Sequence, residues 1–221
     1  MRQPLLVVDD VWRDYRRGAE TIHALRGVSF SVASGEMLGI VGRSGSGKTT
    51  LLNQIAGLDT PTRGTIHLCG REITGMSERA LVAVRRELLG VIFQLFYLIP
   101  TLTAVENVEL PLIFARAPER RARALAALRR VGMTEVQARP AQLDGGDLQR
   151  VAIARALVLA PKLLLADEPT GRLDGRERGE MLDIFRQLAH EGLGIILVTH
   201  DPALAREADR VIELVDGSIC T

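Results

Sequence analysis

A glycine-rich segment between a strand pattern and a helix pattern constrains the fold more than any other feature of this sequence. The segment GRSGSGKTT, Gly42 to Thr50, fits G-x-x-x-x-G-K-[ST]. EMLGIVG before it predicts a buried strand, and GKTTLLNQIAGL, which overlaps its end, predicts a helix. A glycine-rich turn in that setting is typical of a phosphate-binding loop in an α/β protein.

The residue types of this loop suit the phosphates of a nucleotide and a divalent cation. Its glycines let the backbone wrap tightly, so that successive N–H groups face the phosphates. Lys48 can reach the β and γ phosphates, the Thr49 hydroxyl can ligate Mg²⁺, and Thr50 can bond the α phosphate. The predicted binding residues of the loop are Gly42, Ser44, Gly45, Ser46, Gly47, Lys48, Thr49 and Thr50.

A second motif also points to nucleotide chemistry. LLLADEP, Leu163 to Pro169, predicts an apolar strand that ends in two carboxylates. Asp167 is placed to hold Mg²⁺, directly or through water. Glu168 beside it can polarise an attacking water as a general base. A solvated acidic turn is the alternative, and the phosphate loop elsewhere in the chain favours the catalytic interpretation.

Alternating strand and helix patterns predict an α/β fold with a mostly parallel sheet covered by helices. LLVVDDV and HALRGVSFSVA, joined by a polar turn through Gly18, predict an N-terminal antiparallel β element. Residues 97–139 carry helix patterns, which predict an inserted helical lobe. We expect one domain over residues 1–221, with a core lobe of about 1–94 and 151–221 and a helical lobe of about 95–150. The other predicted strands are EMLGIVG, GTIHLCG, GVIFQ, PKLLLAD, GIILVTH and DRVIELVDG, and Ser77 is the predicted N-cap of the helix in MSERALVAVRREL.

Composition excludes several classes of protein. Hydrophobic residues make up 47% of the chain and charged residues 25%, as in globular proteins with a sizeable core. The net charge of +1 gives no general field for nucleic acid, so we expect no nucleic-acid partner. Cys69 and Cys220 predict free thiols in a reducing cytosol. The apolar runs are too short for a signal peptide or a membrane span, so a role at a membrane requires a partner that supplies the membrane part.

Two further polar residues follow predicted strands. Gln94 ends GVIFQ and His200 ends GIILVTH. Strand ends on one edge of a parallel sheet converge on a ligand, so both side chains are expected near Glu168. A lone histidine is more often a capping or core residue, and that interpretation is kept for the histidines without a motif, His23, His67 and His190.

In chain order, the phosphate loop, Gln94, LDGGDLQRVAIARAL, LLLADEPTGRLD and IILVTHD resemble the nucleotide-binding subunit of an ABC transporter. The resemblance covers essentially the whole chain. It implies a P-loop NTPase fold of the RecA-like type and an ATPase that uses ATP and Mg²⁺. GLDTPTRGTI, FQLFYLIPTLTAVENVELPL and ADEPTGRLD are similar to the branch that includes lipoprotein-releasing and macrolide-export ATPases and the cell-division ATPase FtsE.

The resemblance implies further roles for single residues. Tyr15 stands where the family stacks an aromatic ring on adenine, while Trp12 lies inside a strand pattern and is expected to pack. Gln94 is implied to contact Mg²⁺ and the attacking water, and its loop to sense the membrane subunit. His200 is implied to contact the γ phosphate, and Asp174 to cross the interface between two subunits. The implied catalytic residues are Glu168, His200 and Gln94, and the implied metal ligands are Thr49, Gln94 and Asp167.

The segment LDGGD occupies the position of the family signature, which usually begins L-S-G-G-Q or L-S-G-G-E. The resemblance implies that Asp144, Gly145 and Gly146 bind the γ phosphate of ATP held by a second ATPase subunit, so that two chains, as a homodimer or a heterodimer, sandwich two nucleotides. Asp144 replaces the usual serine, and an ionised carboxylate repels a phosphate and donates no hydrogen bond to it. Three explanations are open: a different ATPase chain supplies a normal signature, Asp144 is protonated or turned away, or the site is weak by selection or altered by engineering.

Three functions compete for such a chain. The first is a transport ATPase that drives a transmembrane permease subunit from the cytoplasmic face of the cell membrane. The second is a regulatory ATPase of the cell-division type, which moves a membrane partner without transport. The third is a soluble ABC ATPase acting on DNA or ribosomes, which is disfavoured because the chain has neither a long coiled coil nor a second ATPase domain. The sequence of the neighbouring permease would separate the first two.

Two segments are each compatible with two interpretations. RAPERRARALAALRR, Arg116 to Arg130, predicts a solvated helix face, and the alternative is contact with lipid head groups or an acidic partner. FQLFYLIP, Phe93 to Pro100, predicts either core packing of the helical lobe or a socket for a coupling helix of the membrane subunit. A short apolar run has no periodicity that would decide between them.

Overall fold

The computed structural model describes residues 4–18 and 20–220, and its elements follow the predicted alternation. Its longest helix has 16 residues, and no helix within those ranges combines the length and apolar character needed to cross a membrane. The strands are β1 (Leu6–Arg17), β2 (Glu20–Val32), β3 (Met37–Val41), β4 (Arg63–Leu68), β5 (Arg71–Glu72), β6 (Leu89–Ile92), β7 (Leu163–Asp167), β8 (Gly194–Thr199), β9 (Arg210–Val215) and β10 (Ser218–Cys220). The helices are α1 (Lys48–Ile55), α2 (Glu78–Leu88), α3 (Ala104–Phe114), α4 (Arg120–Arg130), α5 (Gly145–Leu157), α6 (Gly175–His190) and α7 (Pro202–Ala205).

Two sheets organise these strands. The larger sheet has six strands in the order β10-β9-β3-β8-β7-β6, and all neighbours pair in parallel except β10 with β9. The smaller sheet has four antiparallel strands in the order β2-β1-β4-β5. The turn between β1 and β2 passes through Gly18 at a φ of 62° and through Ala19, which lies outside the described residues. The predicted P-loop NTPase fold, with its parallel sheet and N-terminal antiparallel element, is confirmed.

Burial on both faces explains the continuous apolar runs of the central strands. In β7, Leu163 and Leu165 belong to one hydrophobic core, whereas Leu164 and Ala166 belong to the other. Side chains alternate between the two faces of a strand, so a strand covered on both sides needs apolar residues throughout. All six residues of β8 are likewise buried. The larger sheet therefore forms the rigid centre of the molecule, and its strand ends are fixed in position.

Helices α3, α4 and α5 pack against one another beyond the edge strand β6. Their contacts are made by apolar residues that belong to a single core. Helix α3 begins with a capping box in which Thr103 and Glu106 each bond the other's backbone N–H, so the helix start is well defined. Residues 97–139 contain no strand, as predicted. The predicted lobe boundary at about residue 150 falls inside α5, and the division into lobes stays a prediction.

One local prediction differs from the structure, and another is confirmed without the hydrogen bond that usually accompanies it. Strand β6 ends at Ile92, so Gln94 lies in the following loop and does not end the strand. The edge strand pairs only with β7, and that pairing stops at Ile92 and Ala166, where the chain turns toward α3. Ser77 does stand at the N-cap of α2, yet its side chain makes no capping hydrogen bond.

Candidate active site

The phosphate loop and the ends of neighbouring strands line one cavity of about 600 Å³. The loop follows β3, Asp167 ends β7, and His200 follows β8. These three strands are adjacent and parallel, so their carboxyl ends open at the same edge of the sheet. The loop contributes Ser44, Gly45, Gly47, Lys48, Thr49 and Thr50 to the lining, and the later segments contribute Gln94, Asp167, Glu168 and His200.

Close packing shapes the backbone of the phosphate loop. Gly47 has a φ of 105°, and a Cβ at this position would lie 2.5 Å from the carbonyl oxygen of Ala24. A Cβ on Gly42 would overlap the carbonyl oxygen of Leu214 and the Oγ atom of Ser46. Side chains are excluded at both points, so the chain can curl tightly and direct N–H groups toward an anion at the start of α1.

Lys48 and Ser46 are polar groups that the loop buries. The Lys48 ammonium donates to the carbonyl oxygens of Gly42 at 2.7 Å and Arg43 at 2.9 Å, so it lies over the loop. Ser46 is buried, and its Oγ atom has no hydrogen-bond partner among the described residues. Gly42 and Ser46, which were predicted to bind the nucleotide, do not line the cavity. A buried ammonium beside free backbone N–H groups suits a polyanion such as a nucleotide phosphate chain.

Asp167 faces the hydroxyl of Thr49 across the cavity. The Thr49 Oγ1 atom lies 3.4 Å from the Asp167 Oδ2 atom. Burial raises the pKa of Asp167 above its usual value, and the neighbouring carboxylate of Glu168 raises it further, while Thr49 and Lys48 act in the opposite direction. A partly desolvated carboxylate next to a hydroxyl is a suitable oxygen pair for a hard divalent cation, so the residues present fit Mg²⁺.

Two residues at the end of β8 hold the carboxylate of Glu168. The Nδ1 atom of His200 lies 2.7 Å from Oε1, and the Thr199 hydroxyl donates to Oε2 at 3.1 Å. Glu168 itself has a φ of 49°, an uncommon conformation for a residue with a side chain. Since Thr199 is buried and the His200 ring is exposed, the carboxylate is anchored on one side and open to the cavity on the other. This is a suitable geometry for a general base.

Tyr15 does not line the cavity. Its hydroxyl donates to Asp59 at 2.7 Å, and the guanidinium of Arg13 lies 4.5 Å from the centre of its ring. Its cross-strand neighbour Ile22 does line the cavity, so Tyr15 stands beside the site without facing it. Adenine stacking by Tyr15 stays a prediction. Trp12 contacts Asp10 and Arg63 within the smaller sheet, in agreement with a packing role.

Sequence reasoning missed the part of the lining that comes from outside the motifs. His23 and Arg26 of β2 face the cavity, as do Asp216 and Gly217 after β9. His23 was expected to be an ordinary capping or core residue, yet it pairs with Asp14 at 2.7 Å at the rim of this cavity. The family resemblance brought the smaller sheet to the nucleotide only through Tyr15, and the sequence did not indicate that β2 contributes His23 and Arg26.

The turn Asp144–Gly146 lies in a different depression, of about 270 Å³. Asp144 is the N-cap of α5 and accepts a hydrogen bond from the N–H of Asp147 at 2.8 Å. The N–H of Gly146 donates to Glu177 Oε1 at 2.9 Å. Asp174 caps α6 beside them and accepts from the N–H of Glu177 at 2.8 Å. The structure therefore brings Asp144, Gly146 and Asp174 together but keeps them apart from the cavity of Lys48 and Glu168.

Carboxylates dominate this second depression. Burial raises the pKa of Asp147, the nearby Asp144 raises it further, and Arg150 opposes both effects. Arg150 is shared among the carbonyl oxygen of Val131 and the carboxylates of Asp147 and Glu180. The residues that line the depression are Asp144, Gly146, Asp147, Arg150, Asp174, Arg176, Glu177 and Glu180.

Comparison with known proteins identifies the architecture. A family model described as ABC transporter matches residues 25–171. The chain belongs to this family. It is accordingly an ABC-type ATPase, which binds ATP and hydrolyses it.

Relatives and solved structures agree with this assignment. The macrolide export ATP-binding/permease protein MacB of Bordetella avium is 46% identical over 99% of this chain, which spans only 34% of that relative. The uncharacterized ABC transporter ATP-binding protein YvrO of Bacillus subtilis is 45% identical over 97% of this chain and 95% of its own length. The dimeric structure of MJ0796, a bacterial ABC transporter cassette, superposes with a TM-score of 0.90 at 41% identity, over 98% of this chain and 97% of that one. A second structure of MJ0796, with the same score, identity and coverage, is described as a dimeric post-hydrolysis state bound to ADP and Pi.

Proposed function

We propose that this ATPase drives a transmembrane permease from the cytoplasmic face of the membrane, and that it works in a pair of ATPase subunits that sandwich two ATP molecules. The separation of the two depressions carries this proposal. The cavity of Lys48 and the phosphate loop shares no lining residue with the depression of Asp144 and Gly146, so a γ phosphate bound in the first would not reach the second within one chain. A second ATPase subunit is needed to bring such a turn to the bound nucleotide. The dimeric cassettes of similar structure support this arrangement.

The residues of the cavity divide the work of hydrolysis. The backbone of the phosphate loop and Lys48 bind the phosphates, and Thr49, Asp167 and Gln94, which line the same cavity, would hold Mg²⁺ beside them. Bound Mg²⁺ neutralises charge on the phosphates. Glu168 accepts the proton of the attacking water, while Thr199 and His200 keep its carboxylate oriented toward the cavity. His200, the more exposed of the two, is placed to contact the γ phosphate.

The segment Phe93–Ile99 is the proposed docking surface for the permease. Tyr97 is 62% exposed, and the other exposed apolar side chains of the segment are Phe93, Leu95 and Ile99. The Arg155 guanidinium donates to the carbonyl oxygens of Tyr97 at 2.6 Å and Phe96 at 2.7 Å, so the backbone is held while the side chains face solvent. Gln94 lies within this segment and also lines the cavity. A partner that moves the segment therefore moves a residue of the site.

The names of the MacB relatives support a permease partner, because they describe an ATP-binding part and a permease in one protein. This chain matches about a third of their length. Transport by the assembled complex is thus part of the proposal.

Stimulation of ATP hydrolysis by the permease tests this proposal. The permease encoded beside this chain is reconstituted in lipid nanodiscs, and hydrolysis of MgATP is measured with and without it. We expect stimulation by the permease, loss of that stimulation in Tyr97→Ser, and loss of hydrolysis when EDTA removes Mg²⁺. Phe114→Ser is the matched control, because Phe114 is 80% exposed and ends α3, which begins beside Ile99 and runs for about 15 Å. Equal stimulation of the parent and Tyr97→Ser would argue against this docking surface.

A further inference from the structure

One carboxylate joins the starts of two helices in the acidic depression. Glu177 Oε1 accepts the N–H of Gly146 in the first turn of α5, at 2.9 Å. Its Oε2 atom accepts the N–H of Asp174 at the N-cap of α6, at 3.0 Å. A Cβ added to Gly146 would lie 3.1 Å from Oε1, so the carboxylate also covers the open face of the glycine. Glu177 thus occupies an N–H group that an anion at the start of α5 requires.

We propose that Glu177 is a built-in competitor for the γ phosphate, and that it sets how tightly the two ATPase subunits close on ATP. This inference rests on the proposed pairing of subunits. In the free subunit the carboxylate of Glu177 takes the place of the phosphate at the Gly146 N–H. When the subunits close, the γ phosphate on the partner displaces this carboxylate, and Glu177 keeps only its bond to the N–H of Asp174.

The surroundings make this exchange unfavourable. Glu177 and the γ phosphate are both anionic, so the phosphate has to approach a site that a carboxylate already fills. Arg150 does not neutralise Glu177, since its guanidinium bonds Val131 and Glu180. Arg176 is also directed to Glu180. The depression therefore retains a negative charge at the point where the phosphate must bind.

Glu177 acts apart from Asp144, because the two carboxylates use different N–H groups. Asp144 accepts the N–H of Asp147, whereas Glu177 accepts that of Gly146. Removing Asp144 alone leaves the Gly146 N–H occupied. The start of α5 therefore binds an anion most tightly only when both carboxylates are removed.

Dimerisation driven by ATP tests the role of Glu177. The full chain carrying Glu168→Gln, in which ATP is expected to persist, is compared by sedimentation with MgATP with the same chain carrying in addition Glu177→Ala, Glu177→Gln or Asp183→Asn. We expect Glu177→Ala to lower the dimer dissociation constant about tenfold, because the variant has no charge-assisted hydrogen bond to Gly146 that must be broken when the dimer closes. Glu177→Gln keeps a residue suited to the capping box and is expected to give a smaller gain. Asp183→Asn removes a charge from the exposed side of the same helix, outside the acidic depression, so its dissociation constant is expected to stay close to that of the parent.

A second readout examines the contact without nucleotide. In the free subunit, Glu177→Ala is expected to shift the amide proton resonance of Gly146 upfield, and Asp183→Asn to leave it in place. An unmoved Gly146 resonance overturns the inference, as does an unchanged dissociation constant in Glu177→Ala while the chain still binds ATP. An equal gain in Asp183→Asn also overturns it, because the effect would then come from net charge. Failure of the parent chain to bind ATP would instead contradict the proposed function.

Discussion

The Nδ1 atom of His200 lies 2.7 Å from the Oε1 atom of Glu168, although the two residues are 32 positions apart in the sequence. Glu168 follows β7 and His200 follows the adjacent parallel strand β8. The pairing brings Glu168, the proposed general base, and His200 together at one edge of the sheet. The position of the carboxylate therefore depends in part on His200.

Glu168→Gln is expected to reduce ATP turnover by at least about 100-fold, because an amide cannot accept the proton of the attacking water. ATP binding should persist, since the phosphate loop is untouched. Steady-state hydrolysis and binding of a fluorescent ATP analogue measure the two effects. Glu72→Gln, an exposed glutamate of β5, is the control and should hydrolyse ATP as the parent does. Turnover at the parent rate in Glu168→Gln would mean that another residue is the base.

Lys48→Ala is expected to weaken MgATP binding at least about tenfold, because it removes a buried ammonium that lies over the phosphate loop. The chain offers a matched control, since its other lysine, Lys162, is exposed and lies before β7. Titration with MgATP should show parent affinity for Lys162→Ala. The same affinity in both variants would contradict the assignment of the cavity.

The sequence predicted that the site residues lie together at one edge of the sheet, because adjacent parallel strands end at the same edge. Lys48, Glu168 and His200 each follow an apolar run that predicts a strand, so each was expected near a strand end. The predicted strand extended two residues too far, to Gln94, because the end of β6 is set by its pairing with β7 rather than by hydrophobicity. The exposure of Tyr97 was also undecided, because a short apolar run is compatible with a core and with a surface.

Contacts between helices could not be predicted from the sequence. The bond between Gly146 and Glu177 spans 31 positions and depends on how α5 and α6 pack. Glu177 stands three residues after Asp174, a spacing that indicates a capping box but not a second partner on another helix. The spacing therefore gives no sign of the carboxylate that joins the start of α6 to that of α5.

Asn107→Ala is expected to lower the free energy of unfolding by about 2–4 kcal/mol. Asn107 is fully buried, accepts the N–H of Ile99 at 2.7 Å and donates to the carbonyl oxygens of Ile99, Leu102 and Thr103. These bonds hold the loop between the docking segment and α3, so the variant leaves buried backbone groups unpaired. Urea unfolding measures the change. Asp183→Ala, at an exposed position of α6, should change stability by no more than about 0.5 kcal/mol.

The raised pKa of Asp147 predicts a pH-dependent stability. Its ionised form is less favourable in the folded chain than in the unfolded chain, so the penalty is fully present above the folded pKa and is removed as pH falls toward the unfolded pKa of about 3.9. Asp147→Asn should therefore be more stable than the parent at pH 7, with a difference that shrinks toward pH 4. Urea unfolding at several pH values measures this, and a constant difference would contradict it. The charges that face Asp147 are Asp144, Arg150, Glu135 and Glu177.

Asp144→Ser is expected to strengthen ATP-driven dimerisation and to raise basal hydrolysis. Two unit charges about 4 Å apart repel by roughly 4 kcal/mol at an effective dielectric near 20, and half of that value already lowers the closed population by more than tenfold. The serine variant removes this repulsion and supplies a hydroxyl donor. Serine and asparagine are also good N-caps, so both variants keep the start of α5 that Asp144 now caps through the N–H of Asp147.

Asp144→Asn separates charge from hydrogen bonding. It removes the carboxylate charge at nearly constant size, so it should recover part of the gain. Hydrolysis rate and ATP-dependent dimer fraction are measured for the parent and both variants at matched protein concentration. If a different ATPase chain supplies a normal signature, mixing that chain with the parent should restore hydrolysis at Lys48 and Glu168 without any substitution. A serine variant that is no faster and dimerises no better would show that Asp144 only caps α5 and does not face the phosphate.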